Sequence, residues 1–271
     1  MSPVDGERVV VEANDGIAAV RLKRPAKHNA LDFRMFEAIS AAIDEVAAAP
    51  GVRAVVLSGE GPSFCSGLDF PSFAAEERPV DSMFERRAGE DANLAQRVSI
   101  GWQALPVPVI CAITGACIGG GAQIALGADL RTIAPDARIS IREAHWGLIP
   151  DMGITRTLPR LVRMDVAKDL VMTARMLDGA EAVRLGLATR LAEDPLAAAH
   201  ELAAEIASRS PDAVRRGKSL LERSWTMDAA GSLALEEELQ RELLGSSNQI
   251  KAAIAGMSGE AAEFDDSTWS G

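Results

Sequence analysis

An α/β core followed by a run of helices is the fold class that the sequence predicts, and three observations carry it. Strand-like apolar runs alternate with a helical stretch early in the chain, at 17–22, 33–46 and 54–57. A compact apolar run at 109–113 leads through a turn into three consecutive glycines, Gly119, Gly120 and Gly121, and then a short apolar helix to about Gly127. Beyond Pro150 the periodic segments are nearly all helical.

Each element has a local cause. Residues 9–11 and 17–22 flank Asn14-Asp15-Gly16, which predicts a hairpin. Arg24-Pro25 ends its second strand. Asp32 is placed to cap a helix whose apolar positions Phe33, Phe36, Ile39, Ile43 and Val46 follow helical spacing, and Pro50-Gly51 stops that helix. Residues 54–57 form a buried strand, and strand, helix and strand in this order predict a parallel pair with a crossover. After the loop 58–70, residues 71–81 carry charge and two prolines with little periodicity and read as a mobile loop. Residues 82–105 read as one long helix, ended by Pro106 and Pro108. The glycine stretch is followed by a second short strand and an isolated carboxylate, Glu143. Helices are then predicted at 155–161, 165–173, 179–185, 195–208, 211–223, 229–244 and 248–255. A break at Glu193-Asp194-Pro195 divides the chain into a core, 1–194, and a helical section, 195–271, whose acidic tail from 256 is expected to fray.

Composition narrows the function classes. Of 271 residues, 48% are hydrophobic, enough for a sizeable core, and 28 Lys plus Arg face 39 Asp plus Glu for a net charge of -11. That balance argues against a nucleic-acid partner while leaving room for a local basic patch that holds a phosphate. The start MSPVDGERVV lacks a secretory pattern, and no apolar run approaches the roughly 20 residues of a membrane span. Cys65, Cys111 and Cys117 are an odd count without metal-type spacing, which suits a reducing compartment. A cytoplasmic protein without a membrane partner is expected.

The chemistry is concentrated around the glycines. Glycines at a helix start let a substrate oxygen approach backbone N–H groups, and the helix terminus adds partial positive charge. Such a site suits an oxyanion developing on a carbonyl or thioester, and a carboxylate returning to it would transfer protons. The run Gly119-Gly120-Gly121-Ala122-Gln123 lacks the third spaced glycine of a dinucleotide fingerprint, and no Lys-Ser or Lys-Thr pair follows for a phosphate loop. Neither Ser63 nor Ser66 has the flanking glycines of a hydrolase elbow. A second loop, GPSFCSGLDF at 61–70, also follows a buried strand. Two loops at one sheet edge are expected to supply one backbone N–H each to a single oxygen.

In these pieces the chain resembles the crotonase superfamily, the enoyl-CoA hydratases and isomerases. The matching residues, in order, are Arg24-Pro25 with Asn29-Ala30-Leu31, Phe64-Cys65-Ser66-Gly67-Leu68-Asp69, the three glycines, Ala128-Asp129-Leu130-Arg131, and Glu143 leading to Gly147-Leu148-Ile149-Pro150. The resemblance implies a crotonase-like spiral of ββα units with a C-terminal helical trimerisation section, assembled as a homotrimer or a hexamer of two trimers. It implies an acyl-CoA thioester of fatty-acid metabolism as substrate, coenzyme A being part of that substrate, with no metal or other cofactor. An oxyanion hole from the N–H groups of Leu68 and Gly120 is implied.

The family's proton-transfer carboxylates lie two residues after the third glycine and twenty residues further on, here Gln123 and Glu143. Hydratases carry Glu at both. Gln can hold a water but cannot act as a carboxylate base. Isomerases resembling this pattern keep only the second carboxylate, and Asp151, eight residues after Glu143, falls where dienoyl-CoA isomerases carry an aspartate. The resemblance therefore implies double-bond isomerisation, with Glu143 shuttling the proton and Asp151 assisting. Hydration with Gln123 positioning the water stays open, as does a catalytically weak acyl-CoA binder. Asp151 also suits an ordinary helix N-cap. Arg24 and Lys27 are candidate contacts for the CoA phosphates, with surface charge as the alternative. The helix carrying Met83, Phe84, Leu94 and Trp102 is a candidate wall of the acyl pocket. His145, Cys65 and Cys117 are expected to be structural.

Overall fold

Asp15 and Gly16 both take left-handed backbone angles, φ 50° and 77°, and their turn closes a hairpin of β1 (Val9–Asn14) and β2 (Ile17–Leu22). Two positive angles in succession give the turn whose twist matches the strands it joins. The structure, a computed structural model, describes residues 6–75 and 80–269. Residues 1–5 of the N-terminal stretch, 76–79 of the loop expected at 71–81, and 270–271 of the tail lie outside the described residues.

Asp32 accepts the Met35 N–H at 2.8 Å and opens α1 (Phe33–Ala48), which buries Phe33, Phe36, Ile39, Ile43 and Val46 as its spacing predicts. The chain returns as β3 (Ala54–Gly59), parallel to β2 with Ile17 opposite Ala54. Next come α2 (Phe70–Ala75), α3 (Leu94–Ala104), β4 (Val109–Ile113), β5 (Ala116–Ile118), α4 (Gly120–Leu126), β6 (Leu130–Ile133) and β7 (Arg138–Ser140). Helices α5 (Ile154–Leu161), α6 (Met164–Thr173) and α7 (Gly179–Leu185) precede β8 (Arg190–Leu191). The chain closes with α8 (Pro195–Ala207), α9 (Pro211–Ser224), α10 (Ala229–Leu243) and α11 (Ser247–Ser258).

One sheet runs β1-β2-β3-β4-β6-β8, antiparallel only at the β1–β2 hairpin, and β5 pairs with β7 in a small parallel sheet. Side chains alternate across the main sheet. Val55, Leu57, Val109 and Cys111 face the larger core with α1, whereas Ala54, Val56, Ile110 and Ala112 face Ala199, Leu202 and Ala203 of α8. Both faces are covered, which is why 54–57 and 109–113 read as unbroken apolar runs. Residue 195 therefore opens a helix that packs on the sheet itself. Asp129 accepts from the Val109 N–H and pairs with Lys218 at 2.7 Å, tying α9 to the start of β4. The buried Arg131 guanidinium donates to the Leu187 and Ala128 carbonyls. Among the described residues no helix is long and apolar enough to cross a membrane.

Three expectations are corrected. Residues 82–105 are not one helix: a 3-10 turn covers Val80–Phe84, Gly89 takes a left-handed φ of 82°, and α3 starts only at Leu94. Asn93 and Gln96 cap that start reciprocally, side chain to backbone N–H in both directions, so the helix has a firm beginning inside the expected span. Part of the segment expected as loop is helical, since α2 occupies Phe70–Ala75. The tail is docked rather than frayed. Asn248 makes paired hydrogen bonds with the Asp265 backbone, Arg53 donates to the Phe264 carbonyl, and the Trp269 ring lies 5.0 Å from the Arg216 guanidinium.

Candidate active site

The two glycine loops meet, but not as neighbouring loops of the main sheet. The intervening β5 makes the contact: Cys65 N–H donates to the Ala116 carbonyl, and Ile118 N–H donates to the Cys65 carbonyl, both at 2.9 Å. Sequence alone predicts no strand there, because three residues carry too little periodicity to register. Close approach then dictates glycine. A Cβ on Gly121 would sit 2.4 Å from the Cys65 carbonyl oxygen, and one on Gly67, where φ is 92°, would sit 2.8 Å from the Ile118 carbonyl oxygen. The same Gly67 position lies only 4.0 Å from the Gly120 nitrogen.

Gly119, with φ 54° and ψ -120°, turns the chain from β5 into α4 and leaves Gly120 as the first helical residue. Leu68 is clamped against Leu31, with Leu31 N–H donating to the Gly67 carbonyl and Asp69 N–H to the Leu31 carbonyl, each at 2.8 Å. These bonds occupy the residues on either side of Leu68. Among the described residues, neither the Leu68 nor the Gly120 N–H has an acceptor. Both residues line one cavity of about 590 Å³, together with Glu143 and Asp151.

Glu143 opens the 3-10 turn Glu143–Trp146 after β7 and is 9% exposed. Its Oε1 accepts from Gln123 Nε2 at 2.6 Å, while Gln123 Oε1 accepts from the Met152 N–H at 2.9 Å. The Met152 N–H can only donate, so the amide orientation of Gln123 is fixed and its N–H must face the carboxylate. Glu143 Oε2 is buried and has no hydrogen-bond partner among the described residues. Burial pushes the Glu143 carboxyl above its ordinary value; its own backbone N–H and Gln123 oppose the shift, and the negative charge of Asp151 adds to it. Asp151 is also pushed up, by the partial enclosure of its carboxyl. It is not the cap of α5, whose N-cap is Gly153 with no side-chain bond.

The other expected site residues fall elsewhere. Gln123 is 1% exposed and stands behind Glu143 rather than on the cavity wall, which leaves its carbonyl oxygen engaged and unsuited to positioning a water. Trp102 is fully buried in the core, donating to the Val98 carbonyl at 3.0 Å, and does not line the cavity. Met83 and Phe84 do line it. Lys27 is exposed in the 3-10 turn Pro25–Lys27. Arg24 points inward to Asp69 at 2.8 Å and Asp32 at 3.4 Å. Burial pushes the Cys65 thiol up to about 12 and the Cys117 thiol well up, so both are fillers as expected. Sequence reasoning missed Phe70, Phe73, Trp146 and Met152 as lining residues, because they come from three short segments: α2, the 3-10 turn after β7 and the loop before α5. Asn29 stands in the sequence motif without an expected role. Its side chain accepts from the Arg24 N–H and donates to the Glu60 and Ser63 carbonyls, fastening the first loop.

The fold has solved counterparts. An enoyl-CoA hydratase from Mycobacterium tuberculosis H37Rv superposes with a TM-score of 0.85 at 28% identity, covering 96% of this chain and 99% of that one. These are crotonase-fold proteins, and the chain has that fold. The sequence profile described as enoyl-CoA hydratase/isomerase matches residues 12–266, and the chain belongs to that family. It is 32% identical over 250 residues to the short-chain-enoyl-CoA hydratase of Clostridium acetobutylicum, covering 91% of this chain and 93% of that protein. It is 30% identical over 259 residues to the human mitochondrial methylglutaconyl-CoA hydratase, covering 92% of this chain and 73% of that protein.

Proposed function

We propose that the chain moves a carbon–carbon double bond within an unsaturated acyl-CoA, with Glu143 as the group that takes and returns the proton. The observation that carries this reading is the Glu143–Gln123 pair: one buried carboxylate, oriented through Oε1, with Oε2 left without a partner and no second carboxylate at position 123. The thioester oxygen accepts the Leu68 and Gly120 N–H groups. Glu143 removes an allylic proton; the C–H electron pair enters the conjugated system, and negative charge gathers on that oxygen, where the two donors stabilise it. The protonated Glu143 then returns the proton at the other end of the dienolate. Substrate and product have the same mass. The raised Glu143 pKa makes its carboxylate a stronger base for the removal step than an ordinary glutamate. Asp151, on the same cavity wall, assists at the second carbon.

Hydration is the second reading, favoured by relatives named as hydratases. It requires Glu143 to hold the attacking water alone. Purified wild type and Glu143→Gln, each given a β,γ-enoyl-CoA, a conjugatable dienoyl-CoA and an α,β-enoyl-CoA, separate the readings. Isomerisation predicts a change in ultraviolet absorbance without change of mass, lost in the variant. Gain of one water from the α,β substrate would overturn it for hydration; binding without turnover of any substrate would make the chain an acyl-CoA binder. In the same reading, the exposed Leu221, Trp225, Leu233, Leu244 and Ile254 of the C-terminal helices are contacts between copies in a homotrimer.

A further inference from the structure

We propose that Arg24 is a positioning residue: by bridging Asp32 and Asp69, its guanidinium holds the Leu68 N–H where the thioester oxygen must find it. The inference rests on the role given to Leu68 above. Leu31 and Leu68 are the paired residues of the clamp, and Asp32 and Asp69 are the residues that immediately follow them. The guanidinium sits across those two carboxylates, with Nη1 2.8 Å from Asp69 Oδ2 and Nη2 3.4 Å from Asp32 Oδ2. Nη1 also donates to the Ala30 carbonyl at 3.0 Å, one residue before the clamp. Arg24 thus touches both strands of the pairing that leaves the Leu68 N–H unbonded.

The surroundings make this strut stiff. Arg24, Asp32 and Asp69 side chains are 10%, 8% and 5% exposed. Asp32 is fixed from two further sides, by Arg8 at 2.7 Å and by capping Met35 N–H of α1. Asp69 accepts the Ser72 hydroxyl at 2.7 Å, which anchors α2 and with it Phe70 and Phe73 on the cavity wall. Burial alone would raise the Asp69 carboxyl; the Ser72 hydroxyl and Arg24 outweigh it and hold the group below its ordinary value, charged. Without Arg24, Asp32 keeps Arg8, but Asp69 loses its cation, and a buried carboxylate left without one is displaced or takes up a proton. A guanidinium committed to two carboxylates and a carbonyl has little left for a CoA phosphate, so the sequence expectation for Arg24 gives way to a structural one.

The test compares wild type, Arg24→Met, Asp69→Asn and the double variant on two forms of one acyl thioester, the CoA ester and the truncated pantetheine ester, which lacks the nucleotide phosphates. Positioning predicts a kcat loss of about 10²-fold in each single variant, equal on both esters, with KM nearly unchanged. The double variant should be no worse than either single one, because the two groups act as a unit. The red shift of a bound, conjugated aromatic enoyl thioester, which reports polarisation of its carbonyl, should shrink in parallel. A raised KM confined to the CoA ester would overturn the proposal in favour of a phosphate contact, and unchanged kcat would overturn it outright. Asp69→Asn is nearly isosteric, so it decides the matter if Arg24→Met fails to fold. Glu143→Gln is run alongside. If wild type turns over and Glu143→Gln does not, the parent reading stands and Arg24 is judged alone; if wild type turns over neither ester, both readings fall.

Discussion

Glu143 is held in a way that favours chemistry over stability. A carboxyl buried with one oxygen unpartnered costs free energy whenever it is charged, and the pKa rise expresses that cost. The sign of the linkage follows. Below the ordinary glutamate value of 4.5 the group is protonated in both folded and unfolded chains. As pH rises past that value, the unfolded chain releases its proton first, and stability falls until the buried group ionises as well. Glu143→Gln removes the titration and keeps an oxygen for the Gln123 N–H. The variant should melt higher than wild type at neutral pH and close to wild type under acid conditions, while turnover falls by about 10²-fold or more. Thermal melts across that pH range check it; a variant that melts lower at neutral pH would contradict this account of Glu143.

At the scale of elements, the glycines separate into packing roles that the sequence shows only as a run. A Cβ on Gly120 would meet the Leu31 Cδ1 and Met152 Sδ atoms, the movable ends of flexible side chains. On Gly121 it would meet the Cys65 backbone, which is held by Ala116 and Ile118 on both sides. Gly121→Ala is therefore expected to cost about 1–3 kcal/mol and lower the melting temperature by several degrees. Gly120→Ala should fold with little change. Paired thermal melts decide, and equal effects would mean that the loop contact is softer than described. The helices beyond Pro150 were legible because caps and punctuation agree with periodicity, as where Asp178 caps α7 and Gly186 ends it. The elements that escaped, α2, β5, β8 and one of β6 and β7, are short, and the strands among them exist through pairing with distant chain. The candidate site was legible as a motif order, with Leu68, Gly120, Glu143 and Asp151 brought to one cavity. The inward turn of Arg24 was not legible, because a charged residue in a loop carries no sequence sign of the carboxylates that will meet it. Trp102 failed for a related reason: helical spacing marks a buried face without saying whether core or cavity lies beyond.

At the scale of the whole molecule, the sheet, the small β5–β7 pair and the segment around Leu31 converge on one cavity with unbonded N–H donors and a buried carboxylate on its wall. The central claim is that this cavity makes a thioester enolate and that Glu143 moves the proton. Incubating the protein with a β,γ-enoyl-CoA in deuterium oxide and following deuterium at the acyl carbons by mass and magnetic resonance tests it most directly. Wild type should place deuterium at the γ-carbon, the end of the dienolate that receives the returned proton, and Glu143→Gln should not. Exchange that persists undiminished in Glu143→Gln would contradict the account, because the proton would then be moved by another group.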